Sequence, residues 1–547
     1  MMTRRSGFTP KEGTGSAALG AVAAASLLLS SAVQAQTIVK TSGGTVEGTL
    51  ERDVVSFKGI PLGEPPVGEL RWRDARPAKP WSGVLKANKF AAPCAQPASP
   101  WLEGAVPSED CLYLNIWTEN RNPADKRPVI VWIYGGGFTA GFTGASGSDG
   151  TALTRKGVVL VSLPYRVGAL GYMAHPELTK ENPHGSSGQY AMSDLVLGLR
   201  WVNENIASFG GDPANVTLMG CSAGSYMSSF LMASPHAKGL FHRVIAESGA
   251  KFSPGLNATL APLSESEERG LSFARRLGAS NLAELRAMSA DTIVATQQAT
   301  GSGDMALPGT DGYWLPLDTY TAAEKGYYAD VPLLTGSSLN EATIFPTTWK
   351  PLATPEAMRA LAEKEAPGNA PEFFRYYPAN TPAEALRSAV NWSTDVGFAH
   401  GNYALAKINT ERGQPTYVFR NALPAAGELA KRAGGAFPPE MMRGMHCGEN
   451  IYAFGNLERG QGKLSGDAIT EADRELQDLL TSYWTNFAKT GNPNGGSLPH
   501  WPRYDLERME ALTIDKPAQV QRAPDGERLR FFDQLTEERR KRETAQK

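Results

Sequence analysis

Apolar residues gather along this chain in short, nearly unbroken runs, separated by longer stretches with helical spacing. Residues 128–134 (PVIVWIY), 158–163 (VVLVSL), 216–219 (VTLM) and 243–247 (RVIAE) are such runs. Continuous apolar strands are expected where a sheet is covered on both faces. Residues 193–206, between the second and third runs, carry helical periodicity. Residues 264–300 read as helical, and residues 332–335 and 416–419 as later strands. Residues 354–404 read as helix broken by prolines, a cap or side wall. Strands alternating with helices predict an α/β fold with a mostly parallel central sheet and helices on both faces. No internal repeat or linker divides the chain, so residues 36–547 read as one domain.

The third run leads into the strongest chemical signal. Gly220-Cys221-Ser222-Ala223-Gly224 follows it directly, and a helix-compatible run of small and apolar residues comes next. Strand, sharp turn and helix around G-x-S-x-G is the context of a nucleophile elbow. The turn crowds the serine, and glycine on either side relieves the crowding. A serine hydroxyl needs a base, an acid to orient that base, and donors for the oxyanion. In such folds the acid and then the histidine follow the serine along the chain. Among the 7 histidines, His236 and His242 lie too close behind the elbow to come from a separate loop. His446, in a glycine-bearing loop, is the leading base and His400 the next. Tyr134-Gly-Gly-Gly-Phe138 follows a strand and supplies N–H groups for an oxyanion hole. No Lys-Ser/Thr follows those glycines, which excludes a phosphate cradle.

Composition narrows the picture. Lys+Arg 54 nearly balances Asp+Glu 56, and no basic block stands outside the mixed-sign C-terminal tail, so nucleic acid is not an expected partner. Arg4 and Arg5, an apolar run over residues 17–32 and small residues ending at Ala35 read as a signal peptide, residues 1–35. Arg4-Arg5 with Phe8 is one residue out of register for a twin-arginine signal, so ordinary secretion is the expectation. The apolar run is shorter than the roughly 20 residues of a membrane span. The mature chain is therefore expected to be secreted or periplasmic, where its 4 cysteines meet an oxidising environment. Four cysteines allow three pairings, and spacing does not choose among them. No Cys-x-x-Cys or His-x-x-x-His spacing marks a metal site, and neither metal nor cofactor is expected.

Further motifs make the chain resemble the type-B carboxylesterase and cholinesterase family of α/β-hydrolases. Phe57-Lys-Gly-Ile-Pro61 with Pro65-Pro-Val-Gly68 resembles the family's opening signature. Ser108-Glu-Asp-Cys-Leu-Tyr-Leu-Asn115 is similar to its most specific motif. Phe209-Gly-Gly-Asp-Pro213, Asn215-Val-Thr217, Thr490-Gly-Asn-Pro-Asn494 and Trp501-Pro502 extend the likeness over nearly the whole mature chain. The resemblance implies Ser222 as nucleophile, Glu341 as acid, with Asp395 the alternative, and His446 as base. It implies Gly136, Gly137 and Ala223 as oxyanion donors, makes Glu449 a recurrent glutamate, and pairs Cys94 with Cys111. Two departures stand out. The family usually has glutamate where this chain has Cys221, and no cysteine where it has Cys447. That arrangement resembles the tannase and feruloyl esterase group, which implies a Cys221–Cys447 bridge between the serine and histidine loops; two free thiols are the alternative.

These features predict a secreted serine esterase acting on a small-molecule ester. The aromatic residues near Tyr320, Tyr327, Trp349 and Trp392 permit an aromatic acyl or alcohol group of feruloyl, gallate or phthalate type, and the sequence does not choose the substrate. A catalytically inactive binding or adhesion protein is the rival class. A long-chain lipase is disfavoured because no amphipathic lid stands out.

Overall fold

The computed structural model describes residues 37–119, 123–251, 260–299, 308–425, 437–459, 463 and 468–545. The signal peptide expected over residues 1–35 lies outside them. The described strands are β1 (Ile38–Lys40), β2 (Thr45–Glu47), β3 (Thr49–Glu51), β4 (Val54–Pro61), β5 (Val84–Lys86), β6 (Tyr113–Thr118), β7 (Arg127–Ile133), β8 (Val159–Leu163), β9 (Gly211–Cys221), β10 (Arg243–Glu247), β11 (Leu333–Ser338), β12 (Thr416–Asn421), β13 (Glu510–Ile514) and β14 (Gln519–Arg522). Eleven of them form one sheet in the order β14-β13-β12-β11-β10-β9-β7-β8-β6-β4-β3, and β1-β2-β5 form a small second sheet. The run from β8 to β13 is parallel, and the strands at both margins are antiparallel.

Every residue of β8, β11 and β12 is buried, as expected of central strands covered by helices on both faces. Margin strand β14 has an exposed pattern and carries Gln519, Gln521 and Arg522, which leaves its free edge polar. The predicted central helix spans Tyr190–Asn205. The helical region beyond β10 resolves into Leu263–Arg276, Leu282–Ala287 and Ala290–Ala299.

The proline-broken region forms helices Pro355–Glu365, Ala370–Tyr376 and Pro382–Thr394, a π-turn Asp395–Ala399, and helix His400–Glu411. Pro355, Pro371 and Pro382 sit in first turns, where the missing N–H costs nothing. Thr354 caps the first of these helices, and Thr381 with Glu384 forms a capping box on the third. Met358, Phe373, Tyr377 and Trp392 join Phe531 and Phe532 of helix Gly526–Ala545 in a separate core. This side wall thus has its own hydrophobic support. The carboxyl ends of the parallel strands open beside it, the usual place for a site in an open α/β sheet.

Candidate active site

Ser222 follows β9 and precedes helix Ala223–Ala233, with φ 57° and ψ −127°. A non-glycine residue at positive φ costs energy and persists only where its surroundings over-determine it. Here the Ser222 N–H donates to Glu247 O at 2.9 Å, and Ser222 O accepts from Tyr226 N at 3.0 Å. A Cβ at Gly224 would lie 1.9 Å from Ile133 O, so only glycine lets the helix start this close to β7. Gly136, just beyond β7, has φ 126°, and a Cβ there would lie 2.1 Å from Ala140 O. Gly136, Gly137, Ser222 and Ala223 line the same cavity.

Glu341 lies three residues past β11 and is fully buried. Its Oε1 accepts from Ser338 N at 2.6 Å, and its Oε2 is hydrogen-bonded to His446 Nδ1. The histidine loop is pinned by Ser338 Oγ and Asn421 Nδ2, which donate to Met445 O at 2.9 and 3.2 Å. Phe345 and Phe398 flank the imidazole at centroid distances of 5.2 and 4.6 Å. His446 Nε2 is buried, lines the cavity with Ser222, and has no hydrogen-bond partner among the described residues. His400, the other candidate base, is buried in the side wall, with Nε2 2.9 Å from Asp533 Oδ1. Asp395 accepts from Tyr377 Oη and Arg528 Nε, both at 2.7 Å, and it does not meet His446.

All four cysteines are paired, Cys94 with Cys111 and Cys221 with Cys447. The second bridge joins residues 226 apart in sequence, with Cα atoms 6.3 Å apart, and ties the elbow to the histidine loop.

Sequence reasoning named Glu449 only as a recurrent glutamate and missed Glu247, which lies with it behind these loops. Glu247 ends β10 after the buried apolar residues Val244, Ile245 and Ala246, and that mismatch was its only signal. It pairs in register with Cys221, and its Oε1 accepts from Trp484 Nε1 at 2.8 Å. Burial pushes the Glu247 carboxyl up to about 8, against that hydrogen bond. Glu449 is raised well above the ordinary range by burial first, and then by the negative charges of Glu247 and Glu341. Asn421 Nδ2 donates to Glu449 Oε2 at 2.9 Å. Phe345, Phe398, Ser338 and Asn421 likewise carried no local signal, since their roles arise from chain crossings.

The cavity measures about 1400 Å³ and is mostly apolar. Its aromatic walls include Trp101, Phe138, Phe142, Tyr226, Phe230 and Phe398. This corrects the sequence expectation, because Tyr320, Tyr327, Trp349 and Trp392 are absent from its lining. Trp349 and Trp392 belong to the side-wall core, Tyr327 is exposed, and Tyr320 lies under Arg540. Periodicity marks an aromatic residue as buried without saying whether it faces a core or a cavity.

The sequence pattern of the Carboxylesterase family matches residues 35–532. The chain belongs to the carboxylesterase family. It is 35% identical over 481 residues to the fumonisin B1 esterase of Sphingopyxis macrogoltabida, covering 87% of this chain and 85% of the relative. It is 31% identical over 514 residues to the para-nitrobenzyl esterase of Bacillus subtilis (strain 168), covering 90% and 97%. Among solved structures, the Geobacillus stearothermophilus carboxylesterase EST55 at pH 6.2 superposes with a TM-score of 0.78 at 30% identity, over 91% of this chain and 99% of that one. A PNB esterase structure gives 0.75 at 30% identity, over 92% and 100%. This carboxylesterase therefore has the α/β-hydrolase fold and hydrolyses carboxylic esters. No helix among its described residues is long and apolar enough to cross a membrane.

Proposed function

We propose that this carboxylesterase is an exported serine enzyme working through Ser222, His446 and Glu341, with an acyl-enzyme intermediate. The observation that carries this reading is the arrangement of His446. One ring nitrogen is held by buried Glu341, and the other is unpartnered in the cavity that Ser222, Gly136, Gly137 and Ala223 also line. In the proposed cycle, substrate binding draws Ser222 Oγ into hydrogen-bond reach of His446 Nε2, a contact that often tightens only with substrate present. Ser222 Oγ attacks the ester carbonyl carbon while Nε2 takes its proton. The N–H groups of Gly136, Gly137 and Ala223 hold the oxyanion, and Glu341 stabilises the imidazolium. Collapse returns the proton to the leaving alcohol and leaves an ester on Ser222. Water then attacks with His446 as base, and the acid is released. The aromatic cavity walls support an aromatic acyl or alcohol group.

Two disulfides fit an oxidising compartment, which supports export by the signal peptide read at residues 1–35. The Cys221–Cys447 bridge supports likeness to the tannase and feruloyl esterase arrangement.

The test is hydrolysis of 4-nitrophenyl butyrate, with mass-mapped fluorophosphonate labelling of Ser222. Ser222→Ala is expected to lose about a thousandfold or more in kcat and all labelling at that site. A variant that keeps more than about a tenth of the activity overturns the assignment.

A further inference from the structure

Most charges in the cavity wall are already answered. Glu265 is ion-paired with Arg269, and Arg539 Nη1 lies 3.1 Å from Glu365 Oε2. Glu103 accepts from Ser146 N and Oγ at 3.1 and 2.8 Å. Lys251 differs. It lines the same wall, only partly exposed, and forms no ion pair with any described residue.

Its backbone is fixed. Four residues past β10, Lys251 O accepts from Thr319 Oγ1. Two residues earlier, Gly249 N donates to Asn402 Oδ1 at 2.8 Å and Gly249 O accepts from Ser225 Oγ. Gly249 packs so closely on the elbow that a Cβ there would lie 2.8 Å from Ser222 O. Two residues of chain reach no further than about 7 Å, so Lys251 is anchored close to the reacting serine.

A surface lysine normally lays its stem on apolar groups and keeps its ammonium in bulk water. Lys251 instead sits where burial pushes its ammonium down to about 8, and no charged neighbour among the described residues offsets that cost. A ligand carboxylate would supply the missing opposite charge and favour the ammonium form.

We infer that Lys251 is a substrate-binding cation, and that the preferred substrates are esters carrying a free carboxylate a few bonds from the scissile carbonyl. Monoesters of dicarboxylic acids and acyl esters of hydroxybenzoates both have this chemistry. A neutral ester would leave the ammonium unanswered, while an anionic one gains a charge-assisted hydrogen bond. The inference rests on the serine-esterase reading, because it places the scissile carbonyl at Ser222.

The test compares two substrate pairs. Mono-4-nitrophenyl adipate against 4-nitrophenyl hexanoate puts the carboxylate on the acyl side. 3-(Butyryloxy)benzoate against phenyl butyrate puts it on the alcohol side. Wild-type enzyme is expected to favour the anionic member of at least one pair in kcat/KM, by about 10- to 100-fold. Lys251→Met should collapse that ratio towards one, and Lys251→Arg should retain most of it. A ratio unchanged in Lys251→Met, or no anionic preference in wild type, overturns the inference while leaving the serine esterase intact. If wild type hydrolyses none of the four, the serine-esterase reading itself fails. Calorimetric binding of monohexyl adipate to Ser222→Ala, with and without Lys251→Met, then reads the cation without catalysis. Binding that the second substitution does not weaken overturns the role of Lys251.

Discussion

Two buried histidines in this molecule each meet a carboxylate, and the rest of their surroundings differ. His400 sits in the side wall with Nε2 on Asp533, and Lys407 Nζ lies 2.7 Å from the same carboxylate. Burial raises the Asp533 carboxyl, but the hydrogen bonds and charges of His400 and Lys407 outweigh it and hold the group below its usual range. His446 gives one nitrogen to Glu341 and turns the other to a cavity that holds a serine in a strained turn. Near it, burial raises the proton affinity of the Glu247 and Glu449 carboxyls, and neither forms an ion pair among the described residues. A histidine–carboxylate contact is therefore not a signature of chemistry on its own. The difference lies in what the second nitrogen faces and in how neighbouring charge is neutralised.

The sharpest way to break this comparison is to remove each imidazole. His446→Ala is expected to lower kcat by about a thousandfold or more with little change in melting temperature. His400→Ala should cost about 1–3 kcal/mol of stability, because Asp533 keeps Lys407 but loses one buried charge-assisted hydrogen bond, with activity per folded molecule retained. Paired ester assays and thermal melts check both, and matched activity losses would erase the distinction.

A smaller effect is expected from the Cys221–Cys447 bridge, which restrains the His446 loop and lies away from the His400 pair. Cys221→Ser with Cys447→Ser should lower kcat by about tenfold or more, since small misplacements of catalytic groups are costly. The chain-entropy model gives an upper value of about 5 kcal/mol for a loop this long. Activity should therefore fall at lower denaturant concentration than near-ultraviolet circular dichroism does. Coincident loss of both would make the bridge a global staple instead.

The smallest effect concerns the buried Glu247 carboxyl. The unfolded chain releases the Glu247 proton near the ordinary 4.5, while the folded chain holds it to about 8. Folded protein thus binds more protons across that window, and stability falls as pH rises through it. Glu247→Gln keeps an acceptor for Trp484 and removes this penalty. The variant should melt a few degrees above wild type near pH 8 and level with it near pH 4. Equal melting at pH 8 would mean that Glu247 is ionised in the fold beside Glu341 and Glu449.

The sequence by itself determined the parallel sheet, because buried strands write their coverage directly into continuous apolar runs such as 158–163 and 332–335. It determined the elbow too, since the crowded turn at Ser222 demands small neighbours within a five-residue window. The capped, proline-started helices of the side wall are local for the same reason. Tertiary structure alone decided which histidine meets which carboxylate. Glu341 and His446 are 105 residues apart, as His400 and Asp533 are 133 apart, and no local pattern encodes either approach. It likewise decided the partners of the four cysteines in space, which aromatics face the cavity instead of the side-wall core, and that Lys251 stands in the cavity wall without an ion pair among the described residues. Propensity and periodicity act over a few residues. Contact between distant loops is set by how the packed sheet and its side wall bring strand ends together.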